Sequence, residues 1–184
     1  MGGDWVGPVV TATLISSFIA AIGWYVSWRS SNAIEGRRRA ERIRDVQTAL
    51  LAEIRSIVHH LQQYETTEIF ARVSQQFETD DSYLPFISRE AGSPLFGAVA
   101  TEISILPNDV IDQVVLFYRQ QEVIGFFADD LRSDRFAALP KLWKLAMIGD
   151  YLALKDFAAI LGKDAVTSLE ASLKLRPNRS AGVP

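Results

Sequence analysis

From Trp5 to Trp28 the chain runs for 24 residues without a charge, and beyond it the apolar residues recur at intervals of three and four. The two patterns predict different elements. A helix of that length extends about 36 Å, enough to cross a hydrocarbon layer of roughly 30 Å. The uncharged run therefore reads as an N-terminal transmembrane helix. Trp5 at one end and Trp24, Tyr25 and Trp28 at the other would lie in the headgroup layer, and Pro8 falls in the first turn, where a missing N–H costs least. A cleaved signal peptide would need a basic leader where the chain has "MGGD". A buried core helix would be shorter and carry a polar face, and myristoylation would need Ser or Thr where Val6 stands. Ala12, Ser16 and Ala20 form a stripe of small residues at four-residue spacing. Such a stripe lets two helix backbones approach, so a homo-oligomer joined through this helix is the accompanying expectation.

Beyond the apolar run, Ile43, Val46, Leu50, Ile54, Ile57 and Leu61 mark one face of a helix from the mid-thirties to the mid-sixties, with Asn32 and Glu35 placed as a capping box. "ETTEIFARVSQQF" predicts a short amphipathic helix capped by Thr66 or Thr67. Two prolines and a glycine in "ETDDSYLPFISREAGSP" predict the longest loop, and Ser93–Pro94 has the form of an N-cap followed by a first helical position. Pro107 ends the helix of "LFGAVATEISIL". Asn108 or Asp109 then caps a long helix through Arg132, with Val110, Val114, Phe117, Ile124, Ala128 and Leu131 facing inward. The stretch from Asp134 to Leu161 follows, broken early by Pro140, with Gly162 as its stop and "KDAVTSLEASLKL" as a last short helix. No segment alternates with period two and no hairpin turn signal occurs, so the fold class is all-α. Short connections after Leu106 and Arg132 predict antiparallel neighbours in a bundle.

Charge sharpens the boundary. The chain has 184 residues and a net charge of −3, but between Arg29 and Arg44 six arginines face two glutamates, a net of +4. From Asp45 to Arg135 fifteen acidic residues face six basic ones, a net of −9. Arginines confined to one flank of a span predict that this flank stays inside. Arg29, Arg37, Arg38, Arg39, Arg42 and Arg44 would then meet the anionic headgroups of a bilayer. The expected placement is the bacterial inner membrane, N-terminus outside and C-terminal domain cytoplasmic. Nucleic acid is not expected as a partner, since the adjoining body is acidic and carries no recognition motif. The expected organisation is residues 1–28 as N-terminal segment and transmembrane helix, 29–45 as a basic juxtamembrane neck, 46–175 as an acidic bundle entered by a long stalk helix, and 176–184 as a disordered tail.

Residues able to carry chemistry are sparse. There is no cysteine, which excludes disulfides, thiolate metal sites and a cysteine nucleophile. His59 and His60 are the only histidines. Adjacent helical positions diverge by about 100°, so the two do not readily share a metal, and one packed and one solvated imidazole are expected. The pairs Asp80–Asp81 and Asp129–Asp130 read as surface charge, since acid–base catalysis needs carboxylates converging from different elements. No nucleophile elbow or phosphate-binding glycine motif occurs. No catalytic residue, metal site or cofactor is therefore expected. The aromatic residues Phe117, Tyr118, Phe126, Phe127, Trp143, Tyr151 and Phe157 have the spacing of a bundle core.

The stretch "FGAVATEISILPNDVIDQVVLFYRQQEVI" resembles a broad set of membrane-anchored helical bacterial proteins. These share a short helix, the Ile105-Leu106-Pro107 break and a long helix with the Phe117–Tyr118 pair. The likeness takes in the anchor and the Ala-Glu-Ile-Arg segment from Ala52 to Arg55. It implies an architecture and no activity. The expected function is a membrane-anchored interaction or scaffold module that recruits or senses a protein partner. The alternatives are a ligand sensor or enzyme with a site between the last long helices, built from Tyr118, Asp129, Asp130, Asp150 and Tyr151, and a membrane-active oligomeric effector.

Overall fold

The computed structural model describes residues 6–63, 65–88 and 93–175, except for the side chains of residues 6–23, 26, 30, 32 and 33. Every regular element among them is helical: α1 (Val6–Gln62), α2 (Thr66–Thr79), α3 (Pro94–Val99) continued by a 3₁₀ turn (Ala100–Ile105), α4 (Asn108–Leu131), α5 (Asp134–Ala137) and α6 (Lys141–Leu175). The chain divides into two compact units, one up to Ile43 and one from Arg44 onward.

The first unit is the N-terminal part of α1. The helix neither stops after Trp28 nor starts afresh at Asn32–Glu35; it continues through the arginine cluster to Gln62. The six neck arginines therefore lie on one uninterrupted helix. From Trp24 to Arg42 every described side chain is exposed.

The inner-membrane placement is corrected here. Among the described residues no helix is long and apolar enough to cross a membrane. The physical reason is charge spacing. From Arg29 on, no uncharged stretch of α1 exceeds seven residues, and none in α4 or α6 exceeds six. Each such charge at a bilayer centre costs about 2.5–3.5 kcal/mol. Trp24, Tyr25, Trp28, Arg29, Arg37, Arg38, Arg39, Arg42 and Arg44 consequently stand as positions on a charged helix, with no span among the described residues for them to flank. Trp5, the side chains of the Ala12–Ser16–Ala20 stripe and the tail 176–184 lie outside the described residues.

In the second unit the apolar periodicity becomes packing. Val46, Leu50, Ile54 and Leu61 of α1 are buried and Ile57 is half-buried. Val110, Val114, Phe117, Ile124, Ala128 and Leu131 of α4 are all buried, as their spacing predicts. Helix α6 is the central element, packed against α4 and α2 and bonded to α1 through Gln47–Ser172 and Arg55–Glu170. It does not stop at Gly162. Gly162 is buried within α6, where a side chain has no room: a Cβ would lie 2.3 Å from Val58 Cγ2 and 2.9 Å from Phe117 Cε2. The glycine lets three helices approach closely; it does not end one. Nor does a threonine cap α2, because Thr66 Oγ1 instead donates to Asp156 on α6 at 2.9 Å. His59 and His60 are both exposed, contrary to the expectation of one packed ring.

Candidate interaction surface

Helices α4 and α6 run antiparallel in a register fixed at three points. Ser168 Oγ donates to the Asp109 carbonyl at 3.0 Å, Gln120 Nε2 donates to the Leu154 carbonyl at 3.1 Å, and the Phe127 and Tyr151 rings stack 6.4 Å apart. Phe157 on α6 is thereby set beside the stretch of α4 between Leu116 and Val123. Both helices bury one face in the core, so their opposite faces point outward together.

That outer face is where the aromatic expectation fails in part. Phe117, Tyr118 and Tyr151 are buried and Phe127 is half-buried, but Phe126, Trp143 and Phe157 are exposed. The reason is register. A helix has room for about three or four core positions in every two turns, and on α4 these are taken by Val110, Val114, Phe117, Ile124 and Ala128. Phe126 lies two positions from both Ile124 and Ala128, and so on the other side of the helix. Leu116, Val123 and Phe126 on α4 with Phe157 and Ile160 on α6 are between 45% and 72% exposed. Single exposed apolar residues are ordinary on a protein surface; five on the outward faces of one antiparallel helix pair make that pair the candidate patch. Its border is mainly acidic. Asp112, Glu122, Asp130, Asp150 and Asp164 are exposed around it, against Arg119 and Lys163, and Arg119 is held by Glu122 at 3.7 Å.

The polar candidates between the last long helices do not converge. Asp129, Asp130 and Asp150 are exposed, and Asp129 pairs with Arg132 at 3.2 Å. Tyr118 is turned away from α6 and donates to Glu53 Oε2 at 2.6 Å. Tyr151 lines a cleft on the far side of α6.

Glu53 organises a knot that the pattern of apolar positions does not reveal. Its carboxylate accepts from Ser93 Oγ at 2.7 Å and from the amides of Leu95 and Phe96, each at 3.2 Å, while Phe96 stacks on Tyr118 with centroids 3.9 Å apart. The first turn of α3 needs acceptors for its free amides. Ser93 supplies one, as predicted, through a longer bond of 3.4 Å to the Phe96 amide, and Glu53 supplies the stronger, charged one. Burial, and next the hydrogen bond to the Glu53 carboxylate, push the Tyr118 phenol well above its ordinary pKa. The knot fastens α3 to α1 and α4 and leaves Glu53 fully engaged. A Glu within an apolar stripe, between Leu50 and Ile57, is the sequence signal for it.

Comparison of the chain with protein-family models, curated proteins and solved structures finds no match.

Proposed function

We propose that the protein is a helical interaction module whose outer α4–α6 face docks a helix of a protein partner, one with an apolar stripe flanked by lysine or arginine. The observation that supports this reading is the exposed group Leu116, Val123, Phe126, Phe157 and Ile160, bordered mainly by carboxylates. Apolar anchors supply affinity when they leave water, and a charged border supplies orientation and encounter rate. An amphipathic helix laid in a shallow apolar track is a recurrent recognition mode. The separation of the five polar candidates leaves an active site between α4 and α6 without convergent groups.

The test uses a synthetic amphipathic helix of leucine and lysine, with a leucine and glutamate version as control, titrated against the purified protein by fluorescence anisotropy. The lysine peptide is expected to bind, to weaken with added salt and to lose about tenfold or more in affinity with Phe126→Ser plus Phe157→Ser. Equal binding of the two peptides, or binding indifferent to both substitutions, contradicts the proposal. Sedimentation of the free protein checks whether a second copy occupies the same face.

A further inference from the structure

On the side of the second unit served by α2, a cleft of about 300 Å³ opens between α2, α6 and the segment 83–88. Val73, Ile148 and Leu152 make its apolar floor, and Tyr83 and Phe86 stand on the loop side. Phe86 is 93% exposed, so a large apolar ring stands in water at the rim of an apolar hollow. Among the described residues only two of those lining it are charged, Arg72 from α2 and Lys155 from α6, and both are cations. Lys155 Nζ lies 5.0 Å from the centroid of Tyr151, whose ring also lines the cleft. In a chain with a surplus of acidic residues, the described residues of this wall include none.

We infer that the cleft is a binding site for a small amphipathic carboxylate, such as a medium-chain fatty acid. Its tail lies over Val73, Ile148 and Leu152 with Phe86 closing above it, and its carboxylate meets Arg72 and Lys155. The size is at the lower end of small-molecule sites, and a mainly apolar lining with a few polar groups is their usual composition. Arg72 has no ion pair among the described residues. Its planar guanidinium suits a carboxylate better than a lysine would, because it can donate two parallel hydrogen bonds. The site is separate from the α4–α6 face and stands or falls independently of it.

Octanoate titrated into the full-length protein by calorimetry tests this, with octylamine as the matched cation. Octanoate is expected to bind one to one with a Kd on the order of 0.1 mM, and octylamine at least about tenfold more weakly. Arg72→Gln is expected to weaken octanoate by about tenfold, and Arg72→Lys by less. Ser88→Trp, at the exposed rim of the cleft, is expected to block it without lowering the melting temperature. Should Arg72→Gln lower the melting temperature, Lys155→Gln replaces it with the same expectation. Absence of octanoate binding at millimolar concentration, equal binding of octylamine, or binding unaffected by both cation replacements overturns the assignment.

Discussion

Replacing Gly162 by alanine adds one methyl group at a point where α1, α4 and α6 meet. That Cβ would fall 2.3 Å from Val58 Cγ2 and 2.9 Å from Phe117 Cε2. Neither neighbour yields readily. Val58 is β-branched, with one strongly preferred rotamer in a helix, and the Phe117 ring is fully buried. Alanine in mid-helix is worth about 1 kcal/mol over glycine, whereas overpacking a close-packed core costs about 1–3 kcal/mol. A clash with two partners lies toward the upper end of that range, so Gly162→Ala is expected to destabilise by about 1–2 kcal/mol. For a chain of this size that lowers the melting temperature by roughly 2–8 °C. Gly125 is the internal control. It sits in α4 with nothing within 4 Å of a would-be Cβ, so Gly125→Ala should gain about 0.5–1 kcal/mol from helix propensity alone. Thermal unfolding followed by circular dichroism reads both. Val58→Ala introduced into Gly162→Ala should recover part of the loss, since it removes the nearer obstacle. Equal stabilisation by Gly125→Ala and Gly162→Ala would refute the close approach of the three helices.

Further expectations follow from the buried polar groups. Gln47 is fully buried and donates to Ser172 Oγ at 2.8 Å, while its Oε1 has no partner among the described residues. Gln47→Met combined with Ser172→Ala should therefore raise the unfolding midpoint in urea, whereas Ser172→Ala alone should lower stability by about 1–3 kcal/mol by orphaning the amide N–H. Glu53→Ala should release the first turn of α3 and speed amide exchange at Leu95 and Phe96 without melting α4; unchanged exchange there would deny the knot. The Tyr118 phenol holds its proton more tightly when folded than when unfolded. Its contribution is thus complete below the unfolded value of about 10 and is lost as the pH rises above it. Stability measured in urea from pH 9 upward should fall less steeply for Tyr118→Phe than for the natural chain. The opposite order would show that the phenol is not protected.

Period and punctuation made much of the fold legible: the stripe from Ile43 to Leu61, the inward set on α4, the break at Pro107 and the Ser93–Pro94 start each correspond to structure. What escaped depends on contacts between elements. Gly162 has the local signature of a helix stop and serves instead as a contact point, because whether a glycine ends a helix or admits a neighbour is decided by what lies opposite. Glu53 reads as an imperfection in an apolar seam until the start of α3 is placed against it. Phe126, Trp143 and Phe157 count as core by composition, yet their angular positions put them outside a face already filled. The continuity of α1 through the arginines escaped because the Asn32–Glu35 capping pair suggested a boundary that ordinary helix-forming residues on either side override.

The central claim is that the α4–α6 face is covered by a partner in the cell. Because the chain contains no cysteine, single cysteines at Phe126, Phe157 and, as a control on exposed α2 surface, Gln75 report directly on that cover through their rate of alkylation by a membrane-permeant maleimide. The account predicts that the cysteines at 126 and 157 react several-fold more slowly in cells making the protein at its natural level than in the purified protein, and that the one at 75 reacts alike in both. Equal rates in both settings at all three positions would contradict it.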